Sequence, residues 1–108
     1  MVWQKSMEMV VEVFKLVDEM DTNQKINLGS QLGKSAVSVP SNIAEGAGRS
    51  SDKEFSRFLD IAMGSAFELE TQLLIASRIM SRSEKIEELI SNVQEVQKMI
   101  SGLKRSLN

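Results

Sequence analysis

Apolar residues recur along this chain at alternating spacings of three and four, in four runs separated by short polar breaks. That period predicts helices rather than strands. The first run covers about 2–20. Trp3, Met7, Val10, Phe14 and Val17 form one seam, and Met9, Val13, Leu16 and Met20 form a second. Lys5, Glu8, Glu12, Lys15 and Glu19 are left as one narrow polar stripe. A surface helix of a monomer needs a single apolar stripe. Two stripes predict one of two things: a helix that seals against its own bundle and also, through Trp3, Met7, Val10 and Phe14, against another subunit, or a central helix touching two neighbours within one bundle.

Asp21-Thr22-Asn23 supplies turn and N-cap chemistry for a second helix over about 24–45, with Leu28, Leu32, Ala36, Val39 and Ile43 inward. Pro40 interrupts this run. It donates no hydrogen bond and its ring crowds the carbonyl of Ala36, at a cost of about 3 kcal/mol. A kink is the expected response, with Ser35, Ser38, Ser41 and Asn42 able to serve the freed carbonyl. The alternative is a helix that stops and restarts with Pro40 as its first residue. Gly46 and Gly48 predict a left-handed C-cap. Ser51-Asp52-Lys53-Glu54 reads as a capping box opening a third helix over about 52–80. Its seam is Phe55, Leu59, Ala62, Ala66, Leu69, Leu73, Ala76 and Met80, sustained at heptad spacing. The small residues Ala62, Gly64, Ser65 and Ala66 at its middle leave space that a Trp or Phe of the first helix could fill. After Ser81-Arg82-Ser83 a fourth helix runs over about 84–107, with Leu89, Val93, Val96, Ile100, Leu103 and Leu107 inward. Gly102 weakens its end by roughly 1 kcal/mol relative to alanine. Four amphipathic helices with short connections predict an all-α, antiparallel up-down four-helix bundle with a proline-kinked second helix. At 108 residues the whole chain, 1–108, is expected to be one domain.

Composition sharpens the function classes more than the fold. The chain has no Cys, His or Tyr. It therefore has no disulfide framework, thiolate nucleophile or zinc–sulfur site. It also lacks the usual general base near neutral pH and the Glu-x-x-His pairs of di-iron bundles. No catalytic, cofactor-binding or metal-ligating residue is expected, and no small-molecule substrate is evident. The absence of cysteine agrees with a cytoplasmic location. The start, Met1-Val2-Trp3-Gln4-Lys5, does not read as a signal peptide, and no apolar run is long enough to cross a bilayer. Lys and Arg total 13 against 15 Asp and Glu, a net charge of −2 that gives no global pull toward nucleic acid.

Local chemistry offers three candidates. Gly46-Ala47-Gly48-Arg49-Ser50-Ser51 before a helix could hold a phosphate, although it lacks the lysine and glycine spacing of a P-loop. The alternative is a C-cap followed by an N-cap. Lys34, Arg49, Lys53 and Arg57 gather around the turn between the second and third helices and could hold a nucleic-acid backbone. The interleaved Asp52, Glu54 and Asp60 fit ordinary solvated ion pairs instead. Glu45, Glu68 and Glu70 contain no obvious acid–base pair. Glu68 and Glu70 point to different faces of a helix, and Glu45, at an unfavourable helix end, wants a positive partner such as Arg49.

Trp3-Gln4-Lys5, Ser30-Gln31-Leu32 and the stretch Ala36-Val37-Ser38-Val39-Pro40-Ser41-Asn42-Ile43-Ala44-Glu45-Gly46 with Gly48-Arg49 carry a family resemblance. It continues through Glu54-Phe55, Arg57-Phe58-Leu59, Ala62, Gly64-Ser65 and Glu68-Leu69-Glu70-Thr71-Gln72-Leu73, and reaches Met99, Gly102-Leu103 and Ser106-Leu107. The chain resembles the four-helix-bundle proteins encoded in intervening sequences of bacterial 23S ribosomal RNA genes. The resemblance implies a ring-like homopentamer and no enzymatic activity. It also implies kinship with the accessory variability proteins of diversity-generating retroelements, which bind nucleic acid and a reverse transcriptase through basic surfaces. Where family members often carry two basic residues before the Ala-Val-Ser stretch, this chain has Gly33-Lys34-Ser35. The expected function is that of a non-enzymatic, homo-oligomeric bundle binding RNA or a nucleoprotein through Lys34, Arg49, Lys53 and Arg57. Pro40, Asn42, Glu45, Gly46 and Gly48 would be its structural motif. The alternative is a scaffold that meets only protein through surplus apolar surface on the first and fourth helices.

Overall fold

The computed structural model describes residues 1–81 and 83–107. Among them the chain forms four helical rods and no strand. The first, α1, is Val2–Asp18 and closes with tightened bonds from the Glu19 amide to the Leu16 carbonyl and from Met20 to Val17, both 3.0 Å. Asp21 then opens α2. Its carboxylate accepts from the Gln24 amide at 2.8 Å, and the Gln24 side chain accepts from the Asp21 amide at 3.2 Å, a reciprocal box that satisfies two free donors. The rod α2 starts as Thr22–Gln24, passes through a π-helical stretch, Lys25–Gly29, and continues as Ser30–Ala47. Ser51 accepts from the Glu54 amide at 3.2 Å and opens α3, Asp52–Ile79. Only this half of the predicted capping box forms among the described residues. Ser83 accepts from the Ile86 amide to open α4, Glu84–Ser106, with Glu84 and Glu87 in its first turn and Lys104 and Arg105 in its last, matching the helix dipole at both ends.

Pro40 lies inside α2 without ending it, so the helix does not stop and restart there. The polar side chains around it are engaged elsewhere and not with the Ala36 carbonyl. Ser35 donates to Gln72 Oε1 (2.9 Å), the Ser38 and Ser65 hydroxyls share a bond (2.7 Å), and Asn42 donates to the Ser38 carbonyl (2.8 Å). The first two bonds tie α2 to α3 across the bundle, and no buried side-chain N or O among the described residues lacks a partner. That matters because an unpaired buried polar group costs about 1–3 kcal/mol.

The rods enclose one apolar core, and each packs on two neighbours: α1 on α2 and α4, and α3 on α2 and α4. Leu59, Leu69, Leu73, Val93, Val96 and Ile100 are fully buried, together with Val13, Leu32, Ala36 and Val39 from the first two rods. The seams predicted for all four helices are the ones that line this core, α1 contributing its second seam, Met9, Val13, Leu16 and Met20. Contacts pair early residues of one rod with late residues of the next. Ser35 meets Gln72 while Ser38 meets Ser65, and Asp60 meets Lys104 while Glu70 meets Gln97. The 28 residues of α3, at 1.5 Å each about 42 Å long, set the long dimension of a body measuring 44 × 22 × 18 Å.

Candidate binding surfaces

The turn between α2 and α3 is built by a close approach. A Cβ on Gly46 would stand 2.7 Å from Phe58 Cβ and 2.9 Å from Phe55 Cδ1, so only glycine lets the first turns of α3 lie against the end of α2. No glycine here has a positive φ, and Gly48 ends the helix at φ −83°, ψ −3°. The predicted left-handed cap is thus replaced by a right-handed one, and Gly46 is required by steric contact. The Arg49 guanidinium donates to Glu45 at 2.8 Å and also sits 4.8 Å from the centre of the Phe58 ring, with the Arg57 guanidinium 5.6 Å from that centre. Such cation–aromatic contacts contribute about 0.5–1 kcal/mol at exposed sites. The Glu45–Arg49 bridge is the partner expected for a carboxylate at a helix C-terminus. The Gly46–Ser51 stretch is therefore a C-cap followed by an N-cap, with its arginine already engaged.

Lys53 and Arg57 are exposed one turn apart on α3, near Arg49. Lys34 is not with them. It stands thirteen positions before the last residue of α2, Ala47, about 20 Å from that turn along the axis. The basic groups that do gather come from another helix. Lys104 pairs with Asp60, which brings the last turn of α4, with Arg105, beside the first turns of α3. At the opposite end, Lys85 bridges to Glu19 at 2.6 Å and joins the start of α4 to the end of α1, and the Glu19 carboxylate raises the Lys85 pKa. Asp18, Asp21, Glu84 and Glu88 also lie at that end. The near-neutral total charge thus hides an acidic excess at this end, whereas at the α2–α3 end Arg49, Lys53, Arg57, Lys104 and Arg105 are interleaved with Glu45, Asp52, Glu54 and Asp60.

The carboxylates make no constellation. Glu45 is paired, and Glu70 accepts from Gln94 and Gln97 of α4, both at 2.9 Å, which holds its pKa below the usual carboxylate value. Among the described residues no three carboxylates stand together as a metal site would need.

The apolar surface is more informative. The first seam of α1 faces outward: Trp3, Met7 and Phe14 are 43%, 41% and 47% exposed, and Val10 is half-buried. None of them fills the middle of α3, where a Cβ on Gly64 would meet nothing within 4 Å. They run instead beside α2, against Val37, Pro40 and Ala44. Below them Phe14, Val17, Gly29, Gly33 and Val37 line an open, almost wholly apolar groove of about 660 Å³, with Lys25 and Lys34 on its rim. Phe14 lies flat on the helix backbone because a Cβ on Gly33 would stand 3.3 Å from its ring. A second exposed apolar stripe runs along α3 through Ile61, Phe67, Leu74, Ile75 and Ile79, and α4 has no large exposed apolar residue. The surplus surface is therefore on α1, α2 and α3, not on α1 and α4 as the periodicity suggested. The α3 stripe had a weak signal: Phe67 and Leu74 are seven residues apart off the main seam, and Ile61 and Ile75 are fourteen apart with Glu68 between them.

A model of the 23S rRNA-intervening sequence proteins matches residues 1–102. The chain belongs to that family. Among solved structures, a protein of unknown function from the S23 ribosomal protein family of Bacteroides thetaiotaomicron superposes with a TM-score of 0.88 at 24% identity, covering 96% of this chain and 98% of the other. At that identity the likeness establishes the shared four-helix fold. No curated protein matches the sequence. The 23S rRNA-intervening sequence fold thus supplies the bundle. In this member the outward features are the apolar α1/α2 groove, the apolar stripe of α3 and the mixed-charge α2–α3 end, and no helix among the described residues is long and apolar enough to cross a membrane.

Proposed function

We propose that this protein is a non-enzymatic binding bundle that works as a homo-oligomer and meets RNA or a nucleoprotein through the exposed cationic side chains of its α2–α3 end. The observation that carries the reading is the outward apolar seam of α1, Trp3, Met7 and Phe14, continuous with Val37 on α2. Contiguous apolar surface of this kind marks an interaction site. Family resemblance makes a ring of five copies the expected assembly. Arg49, Lys53 and Arg57, with Arg105 beside them, would supply backbone contacts that need only positioned positive charge. Repetition around an oligomer multiplies weak contacts. The site offers no nucleophile, general base or carboxylate pair for chemistry.

Two measurements test this. Light scattering at micromolar concentration should give a mass several times the 12.0 kDa of one chain. Binding to structured RNA should weaken steeply with salt. Arg49→Ala with Arg57→Ala should lower the logarithmic salt slope by about one per residue removed. RNA binding that is undetectable at 50 mM salt, or unmoved by both changes, removes RNA from the function and leaves the protein-only scaffold. That second reading is favoured by one specific feature: Arg49 is already held by Glu45 and Phe58. A partner recovered from nuclease-treated lysate would support it.

A further inference from the structure

A furrow between α2 and α3 is lined, among the described residues, only by polar side chains: Gln31, Lys34, Ser35 and Ser38 from α2, Glu68 and Gln72 from α3. The α2 residues recur at spacings of three and four, and the two on α3 are four apart, so each helix turns one polar face to it. Gln72 forms the floor and is only 7% exposed. Its Oε1 accepts from the Ser35 hydroxyl at 2.9 Å, which fixes the amide plane, while its Nε2 donates to no described group of the chain. No enclosed side-chain nitrogen among the described residues lacks a partner, so this free donor opens on the furrow. Gln31 spends its own Nε2 on the Asn27 carbonyl at 3.1 Å and keeps its Oε1 as an acceptor. Each wall also holds one unpaired charge. Lys34 and Glu68 are exposed and make no ion pair with each other or with any described residue, whereas Lys104 and Asp60 do bridge α4 to α3.

The furrow holds about 280 Å³, several times the ~30 Å³ share of one water molecule. Its donors, the Lys34 ammonium and the Gln72 amide, call for a carboxylate. Its acceptors, the Glu68 carboxylate and the Gln31 Oε1, call for an ammonium. A lone anion would sit beside Glu68 and a lone cation beside Lys34, each with an unfavourable like charge. A nucleobase would find no aromatic face to stack on. We infer that the furrow is a binding site for a small zwitterion of the α-amino-acid class, its carboxylate on Lys34 and the Gln72 amide, its ammonium on Glu68 and Gln31. The inference needs neither the self-association nor the RNA contact proposed above.

Glycine, the smallest member of that class, tests it by saturation-transfer NMR on the full chain. Its methylene signal should receive magnetisation from the protein and level off at millimolar concentration. Acetate and methylammonium, each carrying one of its two charges, should bind at least about tenfold more weakly, the worth of one charge-assisted hydrogen bond. Lys34→Met and Glu68→Gln change exposed side chains and should keep the helical circular dichroism. Each should weaken glycine binding by a similar factor. Glycine that binds no better than acetate would make the furrow a plain anion site and overturn the zwitterion. An affinity unmoved by either substitution would place the bound glycine elsewhere, and no transfer to glycine at all would leave the furrow to water; both results sink the inference.

Discussion

α4 and α1 begin from similar patterns and end in different circumstances. Each turns one heptad seam into the core, Ile86, Leu89, Val93, Val96 and Ile100 from α4 and Val2, Met9, Val13 and Leu16 from α1. The outer face of α4 is Ser91, Gln94, Glu95 and Lys98, at home in water. The outer face of α1 is Trp3, Met7 and Phe14. A helix needs only one apolar stripe to be held in a bundle. The second stripe on α1 packs in part within the chain, Val10 and Val17 on the core and the Phe14 ring over Gly33, and still leaves Trp3, Met7 and Phe14 more than two-fifths in water.

The difference can be broken by truncating each face in turn. Ile100→Ala, in the fully buried seam of α4, should cost about 2–5 kcal/mol in urea unfolding. Phe14→Ala should cost the isolated subunit less than about 1 kcal/mol while lowering the assembled mass. Equal losses from the two changes would mean that α1 and α4 are used alike.

Glycine substitutions sharpen the same contrast. Gly46→Ala drives a methyl into Phe58 at the α2–α3 turn and should destabilise by about 1–3 kcal/mol. Gly102→Ala on α4 meets nothing within 4 Å and should stabilise by about 0.8 kcal/mol through helix propensity. Thermal melts of both variants check the pair, and a destabilised Gly102→Ala would mean that α4 has an unseen neighbour.

The smallest effect belongs to Glu70, the carboxylate by which α3 holds α4. Its pKa is lowered in the fold by the amides of Gln97 and Gln94, so the ionised form is the one the fold favours. Its contribution is present above the ordinary value of 4.5 and fades as the pH falls through the lower folded value. Glu70→Gln should lose about 0.5 kcal/mol at pH 7, with allowance for solvent screening, and nothing in strong acid. A loss that is the same at both pH values would assign the effect to packing.

Much of the fold was legible because buried seams repeat in sequence. Leu59, Ala62, Ala66, Leu69 and Leu73 announce their common face without reference to any other helix. What was not legible depends on two helices at once. The π-helical stretch has no local signature; Gly29 there lies so close to α1 that a Cβ would stand 2.9 Å from Val17. Gly46 reads as a cap in sequence and is a steric clearance in space, because Phe55 and Phe58 arrive from another rod. The site was legible only in part. Arg49, Lys53 and Arg57 lie around one turn and could be grouped by number, but Lys34 is half the length of α2 away. The contribution of Lys104 and Arg105 needed the fold. The outward stripe of α3 was overlooked because the stronger seam of the same helix masked its weak signal.

The acidic excess at the Lys85 end has a consequence for any polyanion that meets this molecule. The body is 44 Å long, and the Debye length at physiological salt is about 8 Å. Ions therefore hide that end from anything touching the α2–α3 end, where Arg49, Lys53, Arg57, Lys104 and Arg105 are set among Glu45, Asp52, Glu54 and Asp60. An approaching polymer would meet closely spaced charges of both signs, so their positions and not the algebraic sum of −2 decide what it senses.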